Sequence, residues 1–255
     1  GLYFGADLPS APRRIGVRGA ALSFIDVCLL YGDTAETIYP VSRSGRFMEV
    51  KPSPETPLPE VSPRWCQACA HLDNASELRE ILIGAAGEFG DFSTADLAAV
   101  IDGQDFTGDA VAELEASLRA AEGTGPLTPA AAVGAAFRGV FQDCVDWHKA
   151  HGPMPGFREL SRTLERVAFG PPPVTARHLL ELIHSGVVNT DYLGTPAQID
   201  SWREKGGVDL LIDATVAPQA TPSPFHDVPG VVEIGRMNEL SLPGHDSLNR
   251  SVHDD

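Results

Sequence analysis

The sequence predicts an α/β fold in which a parallel sheet is interrupted by a large helical block. Three observations carry that prediction. A short apolar run, residues 15–17, passes through the small-residue turn Gly19-Ala20-Ala21 into a helix-like apolar run, residues 22–30. Helical spacing then dominates from about residue 73 to residue 185. Strand-like runs return after it, the strongest being Val208-Asp-Leu-Leu-Ile-Asp-Ala-Thr215. Strand, helix, strand, helical block and strands again is the order of an open sheet carrying an insertion.

The elements follow in chain order. Residues 1–12 are rich in Gly and Pro and read as a linker or incoming loop. The strand–turn–helix unit runs to about Tyr31, and Gly32-Asp33 ends its helix. Thr37-Ile-Tyr-Pro-Val41 reads as the next strand. Pro40 lacks the N–H a ladder needs, so this strand belongs at an edge or near its own end. Ser42-Arg43-Ser44-Gly45-Arg46 is the turn after it. Prolines 52, 54, 57, 59 and 63 make the following stretch extended and solvated rather than helical. In the helical block, Ser93 caps a helix carrying Leu97, Val100 and Ile101. Thr128-Pro129 pairs a cap with proline at the first helical position, and Val133, Phe137, Val140, Phe141 and Cys144 repeat at helical spacing behind it. Residues 156–167 and 174–184 read as two more helices, split by Gly170-Pro-Pro-Pro173. Residues 186–188 and 231–234 are further strand candidates.

Composition bounds the chemistry. At 255 residues the chain can bury a full core, and its 43% hydrophobic content is ordinary for a globular protein. No apolar run reaches bilayer length, and no basic segment followed by an apolar one marks a signal peptide. The net charge of −16 argues against nucleic acid as the main partner. That charge is uneven: residues 1–46 hold five Arg against four acids, a balance of +1, so the remainder carries −17. A bound phosphate would favour such a neutral-to-positive region. Four Cys in a chain of this length do not make a disulfide scaffold, and a reducing cytoplasm fits them. Cys66 and Cys69 form a C-x-x-C, a dithiol or half a zinc site, with no second Cys pair in the chain. His148, His151, His178 and His184 show no ligand spacing. No nucleophile elbow, Walker loop or His-Glu-x-x-His is present.

The segment Arg18-Gly-Ala-Ala-Leu-Ser-Phe-Ile-Asp26 resembles the Arg-Gly-x-Gly-Leu-x-Phe-Ile-Asp turn of two-dinucleotide flavoproteins, the FAD/NAD(P)-binding oxidoreductases related to flavin-dependent N-hydroxylases and monooxygenases. Ser42-Arg43-Ser44-Gly45 is similar to the family's adenosine-side turn. Asp209-Leu-Leu-Ile-Asp-Ala-Thr215 resembles its strand ending in Ala-Thr-Gly. Ile234-Gly235-Arg236 and residues 244–250, Gly-His-Asp-Ser-Leu-Asn-Arg, resemble its closing segment beside the flavin. The resemblance implies a Rossmann-like dinucleotide-binding sheet interrupted by a large helical insertion. Residues 1–50 would be the first part of the NAD(P)-binding domain and 51–72 a Pro-rich loop. Residues 73–185 would be the insertion and 186–255 the return strands with the flavin-side segment.

It further implies that Gly19, Ala20, Ala21 and Ser23 cradle a pyrophosphate with backbone amides. Ser42, Arg43 and Arg46 would read the 2′-phosphate of NADP, since arginine rather than an acid follows the second strand. Thr215 would bind cofactor at the end of the strand, and Gly235, His245 and Asp246 would lie beside FAD. The implied activity is hydride transfer between NADPH and FAD. A degenerate, non-catalytic dinucleotide-fold module is the alternative reading, and a C-x-x-C thiol oxidoreductase the third. The departures are Ala21 in place of the second glycine, Val216 in place of the glycine after Ala-Thr, and no G-x-G-x-x-G unit ahead of Arg14. Another segment or chain would therefore supply much of an FAD site.

Overall fold

A computed structural model of the chain describes residues 11–215. Of the sequence expectations, the strand at residues 231–234, the substitution Val216 and the residues Gly235, His245 and Asp246 lie outside the described residues. The chain divides into two compact units, a sheet unit (described residues 11–57, 106–131 and 169–215) and a helical unit (58–105 and 132–168).

The sheet unit is mixed α/β with a small parallel sheet. Strand β1 (Arg14–Arg18) lies in the centre, β2 (Thr37–Val41) on one side and β3 (Leu210–Asp213) on the other, all parallel. Helix α1 (Leu22–Tyr31) is the crossover from β1 to β2. Residues 186–188 do not form a full strand. They contribute one parallel bridge, Ile38 to Val188, on the free side of β2. The Ile38 amide donates to Val187 O at 2.7 Å and Ile38 O accepts from the Asn189 amide at 2.9 Å. Pro40 lies two residues further along the same strand, so its missing N–H faces that outer side and costs the β1–β2 ladder nothing.

Period-two alternation sorts the sheet's side chains between two layers. Ile15, Val17, Ile38, Leu210 and Ile212 join one cluster with α1, α5 (Ala110–Ala121) and α8 (Pro173–His184). Phe24, Val27, Cys28, Leu118 and Leu179 are buried members of it. Tyr39, Val41 and Leu211 join a second cluster under α9 (Gln198–Lys205), built on Trp202, Ile199 and Tyr192. Gly16 is required there: a Cβ would sit 2.8 Å from the Trp202 ring. Helices thus cover both faces. Helices α5 and α8 come from the stretch read as an insertion, yet they pack as part of the sheet unit.

The segment after β2 runs along α5. The Arg46 guanidinium donates to Glu113 at 2.9 Å, and the Val50 amide donates to Ser117 Oγ at 2.6 Å. Glu113 and Ser117 are four residues apart, on one face of the helix.

The helical unit holds α2 (Pro63–Cys69), α3 (Ala75–Gly87), α4 (Thr94–Ile101), α7 (Phe157–Ala168) and α6 (Pro129–His151) from residue 132 onward. Helix α2 begins inside the stretch expected to be a loop. Its first residue is Pro63, where the ring's fixed φ suits a helix and no N–H is needed. The Ser93 cap forms, its hydroxyl accepting from the Asp96 amide at 3.1 Å. Thr128 likewise accepts from the Ala131 amide at 3.0 Å. Glycines set the closest approaches: a Cβ on Gly134 would overlap the Val167 carbonyl oxygen, and one on Gly84 the Trp65 ring.

Candidate functional site

The expected cofactor turn lies where β1 ends. Arg18 O accepts from the Ala214 amide at 2.8 Å, and the Gly19 amide donates to Val41 O at 2.7 Å, so β1 is held on both sides up to its last residue. Gly19 then turns with φ +120°, a conformation L-residues rarely adopt. A Cβ there would lie 3.0 Å from Ala214 O. Two independent reasons therefore require glycine at this position. Ala20 is buried, and Ala21, Leu22 and Ser23 are exposed.

Ala21 is the N-cap of α1, with no side-chain cap and no acid in the first turn. Among the described residues no acceptor is found for the amides of Ala20, Ala21, Leu22 and Ser23. Together with the helix dipole, this makes the start of α1 a place where negative charge is favoured.

The neighbouring strand ends complete the rim. At the end of β3, Asp213 accepts from the Thr215 amide at 3.0 Å and from Thr215 Oγ1 at 2.5 Å. Arg18 Nη1 lies 3.5 Å from Asp213 Oδ2, and both side chains are 57% exposed. An exposed pair of this kind contributes little to stability, but it puts a carboxylate beside an expected anion site. Thr215, expected to bind cofactor, is thus engaged with Asp213. At the end of β2, Ser42 Oγ accepts from the Gly45 amide at 3.1 Å and Ser44 Oγ from the Arg46 amide at 3.4 Å. Those hydroxyls close the turn. Arg43 is exposed, with no ion-pair or hydrogen-bond partner among the described residues. Arg46 is different. It is 8% exposed, bonded to Glu113 and set over the Phe106 ring at 5.3 Å. The turn therefore offers one arginine to a phosphate, not two.

The structure thus brings Gly19, Ala20, Ala21, Ser23, Ser42, Arg43 and Thr215 to the carboxyl ends of three adjacent strands, and turns Arg46 away into the core. Sequence reasoning missed Arg18 and Asp213 as rim charges; their positions at two strand ends were the signal for them.

A second cluster lies in the helical unit. Cys69 of α2 and Cys144 of α6 are both fully buried where the two helices meet: on one side Cys66 Sγ lies 4.0 Å from Gly139 O, and on the other the Trp147 indole N–H donates to Leu72 O at 2.9 Å. Cys66 Sγ is half-buried and lies 4.0 Å from Gly139 O. Burial, then the Asp143 charge, raise the Cys66 thiol. The neighbouring Cys69 thiol, then burial, hold Cys144 well above its ordinary value. Cys28, in the sheet unit, is pushed up to about 12 by burial alone. Among the described residues no group of three or more His, Cys, Asp or Glu is placed to hold a metal ion. No described helix is long and apolar enough to cross a membrane. Comparison with protein-family models and with curated protein sequences finds no match for the chain.

Proposed function

We propose that the β1–α1 turn binds the pyrophosphate of NADPH, in an oxidoreductase of the flavoprotein type that passes hydride between NADPH and FAD. The observation that carries this reading is Gly19, at φ +120° against Ala214 O, where the strand order reverses between β1 and β3. With Val188 beside β2, the order Val188–β2–β1–β3 matches the 3-2-1-4 order of a Rossmann-like sheet. In such sheets ligands bind outside the carboxyl ends of the strands at the reversal, with phosphate at the helix N-terminus.

The amides of residues 20–23 would hold the pyrophosphate, and Arg43 would pair with a 2′-phosphate. FAD would supply the hydride chemistry, with much of its site coming from another segment or chain. The chain's part is to hold and orient the nicotinamide cofactor. Four free thiols suit a reducing cytoplasm.

The second reading, a non-catalytic relic of the fold, is favoured by the Asp213 carboxylate beside the turn and by the methyl group of Ala21. Both weaken an anion site. Calorimetric titration with NADPH separates the two. The first reading expects saturable binding that weakens in Arg43→Ala and tightens in Ala21→Gly and in Asp213→Asn. A flavin absorbance band in the purified protein would support it further. If neither the native chain nor Ala21→Gly binds NADPH, and no flavin copurifies, the relic reading stands.

A further inference from the structure

The three thiols of the helical unit belong to no part of the proposed cofactor site. Two of them, Cys66 and Cys69, lie three residues apart on α2 and therefore on neighbouring positions of one face. The third, Cys144, comes from α6. Trp65 anchors α2 from the other side: its ring lies against Gly84 of α3, and its indole N–H donates to Glu88 at 2.9 Å. Arg64 also pairs with Glu88 and stacks 4.7 Å over the Trp65 ring. With α2 held in this way and the Trp147 indole N–H of α6 donating to Leu72 O at 2.9 Å, Cys69 and Cys144 share the buried layer between α2 and α6, and Cys66 stays at its edge.

We propose that Cys69 and Cys144 form a reversible disulfide joining α2 to α6, and that Cys66 is the thiol through which a small-molecule disulfide oxidises the pair. The steps are thiol–disulfide exchanges. Cys66 loses its proton to water and attacks one sulfur of the oxidant, R–S–S–R. A mixed disulfide forms on Cys66 and one R–S⁻ leaves. Cys69, deprotonated, attacks the Cys66 sulfur and displaces the second R–S⁻. Cys144, deprotonated, then attacks the Cys69 sulfur, and Cys66 departs as thiolate and is reprotonated. Two protein thiols are oxidised and one R–S–S–R is reduced to two R–SH. The buried thiols need no direct contact with oxidant, because the half-buried one relays it.

The geometry favours the final product over a retained adduct. Two thiols buried together at the α2–α6 contact, between the Cys66–Gly139 and Leu72–Trp147 contacts, are placed to pair, whereas an adduct on Cys66 stays exposed to attack by Cys69. Raised thiol values keep the exchange slow at neutral pH, so the device responds to sustained oxidation.

The test uses the full reduced chain and millimolar oxidised glutathione at mildly alkaline pH. Remaining thiols are alkylated and the chain is digested with trypsin. Cys66 and Cys69 fall in peptide 65–79 and Cys144 in peptide 139–149. The proposal expects these two peptides to become cross-linked, with two thiols lost, no glutathione retained and Cys28 still alkylated. The thermal midpoint should rise by several degrees and return on adding dithiothreitol. Cys66→Ser should slow cross-linking about tenfold or more, and Cys144→Ser should abolish it. Four thiols still free in the native chain would overturn the proposal. So would glutathione retained on Cys66 without a cross-link, or a Cys69→Ser variant that cross-links at the native rate.

Discussion

In the sheet unit, alternate residues of each strand enter different layers, so Ile15 and Val17 face one helical cover while Gly16 lies under Trp202 in the other. In the helical unit the close contacts are set by missing side chains: Gly84 admits the Trp65 ring, Gly134 the Val167 carbonyl and Gly139 the Val61 side chain. The first arrangement rests on a period-two rule that tolerates changes of residue size within a layer. The second rests on helix backbones brought close by glycine, where one added methyl has nowhere to go. Within its strand layers the sheet unit should therefore be the more forgiving of the two, but not at its own glycine contacts, such as Gly170, where a Cβ would overlap Glu49 O.

The largest effect expected is Gly134→Ala. Its Cβ would overlap the backbone of α7, which cannot rotate away as a side chain could. A loss of about 3 kcal/mol or more is expected, although alanine is the better helix former. Hydrogen exchange should place the loosening in α6 and α7 and leave β1, α1 and β2 protected as before. A neutral outcome would remove the contrast between the units.

Next comes Glu113→Ala, which probes an exception within the sheet unit. The Arg46 side chain is 7% exposed, and Glu113 lies 2.9 Å from it. Removing the carboxylate takes away a charged hydrogen bond made in a buried setting, at a cost of about 2 kcal/mol in urea unfolding. Replacing Thr107, which also donates to Glu113, should cost far less, because the ion pair survives.

These two sites also show what was legible in the sequence. The β1–α1–β2 unit, the strand at 210–213 and the Ser93 and Thr128 caps could be read because each depends on neighbours within a few residues. Arg46 could not. An arginine in a turn after a strand looks the same whether it meets a phosphate or a buried acid, and its partner lies 67 residues away. Helices α5 and α8 show the same limit: their periodicity marks an apolar face without saying that the face meets the sheet. The thiol cluster was hidden in the same way, since the C-x-x-C is local and Cys144 is not. For the candidate site, Gly19 and the strand ends were readable, whereas the close approach of Ala214 O was not.

Gly19→Ala tests the point where the sheet unit is as intolerant as the helical one. The residue needs a positive φ, and a Cβ there would crowd Ala214 O at 3.0 Å. A loss of about 2 kcal/mol is expected, with any NADPH binding lost beyond the loss of stability. A variant of native stability that still fails to bind would separate the turn's role in binding from its role in folding.

The smallest effect is electrostatic. On the helical unit, Arg79 Nε and Nη2 meet the two Asp102 oxygens at 2.9 and 2.7 Å. The hydrogen bonds from Arg79, then its charge, hold the Asp102 carboxyl below its ordinary value of 3.8. A carboxyl lowered by folding stabilises the native state above its unfolded value, and that contribution fades as pH falls through the folded value. The difference in stability between the native chain and Arg79→Ala should therefore be constant from neutral pH down to about 5 and shrink below about 4. Asp102 is 48% exposed, so solvent screens the pair and the plateau should stay under about 1 kcal/mol. On the sheet unit, Asp209 is lowered chiefly by backbone hydrogen bonds from Arg14 and Arg13. Arg14→Ala keeps those amides, so it should leave most of that carboxyl's acid response in place, whereas Arg79→Ala removes the whole of the response at Asp102. Titration of the two carboxyls by NMR decides it: Asp102 should move back toward 3.8 in Arg79→Ala, and Asp209 should move little in Arg14→Ala. Equal shifts at both sites would mean that side-chain charge, rather than the backbone amides at the start of β1, governs each unit's response to acid.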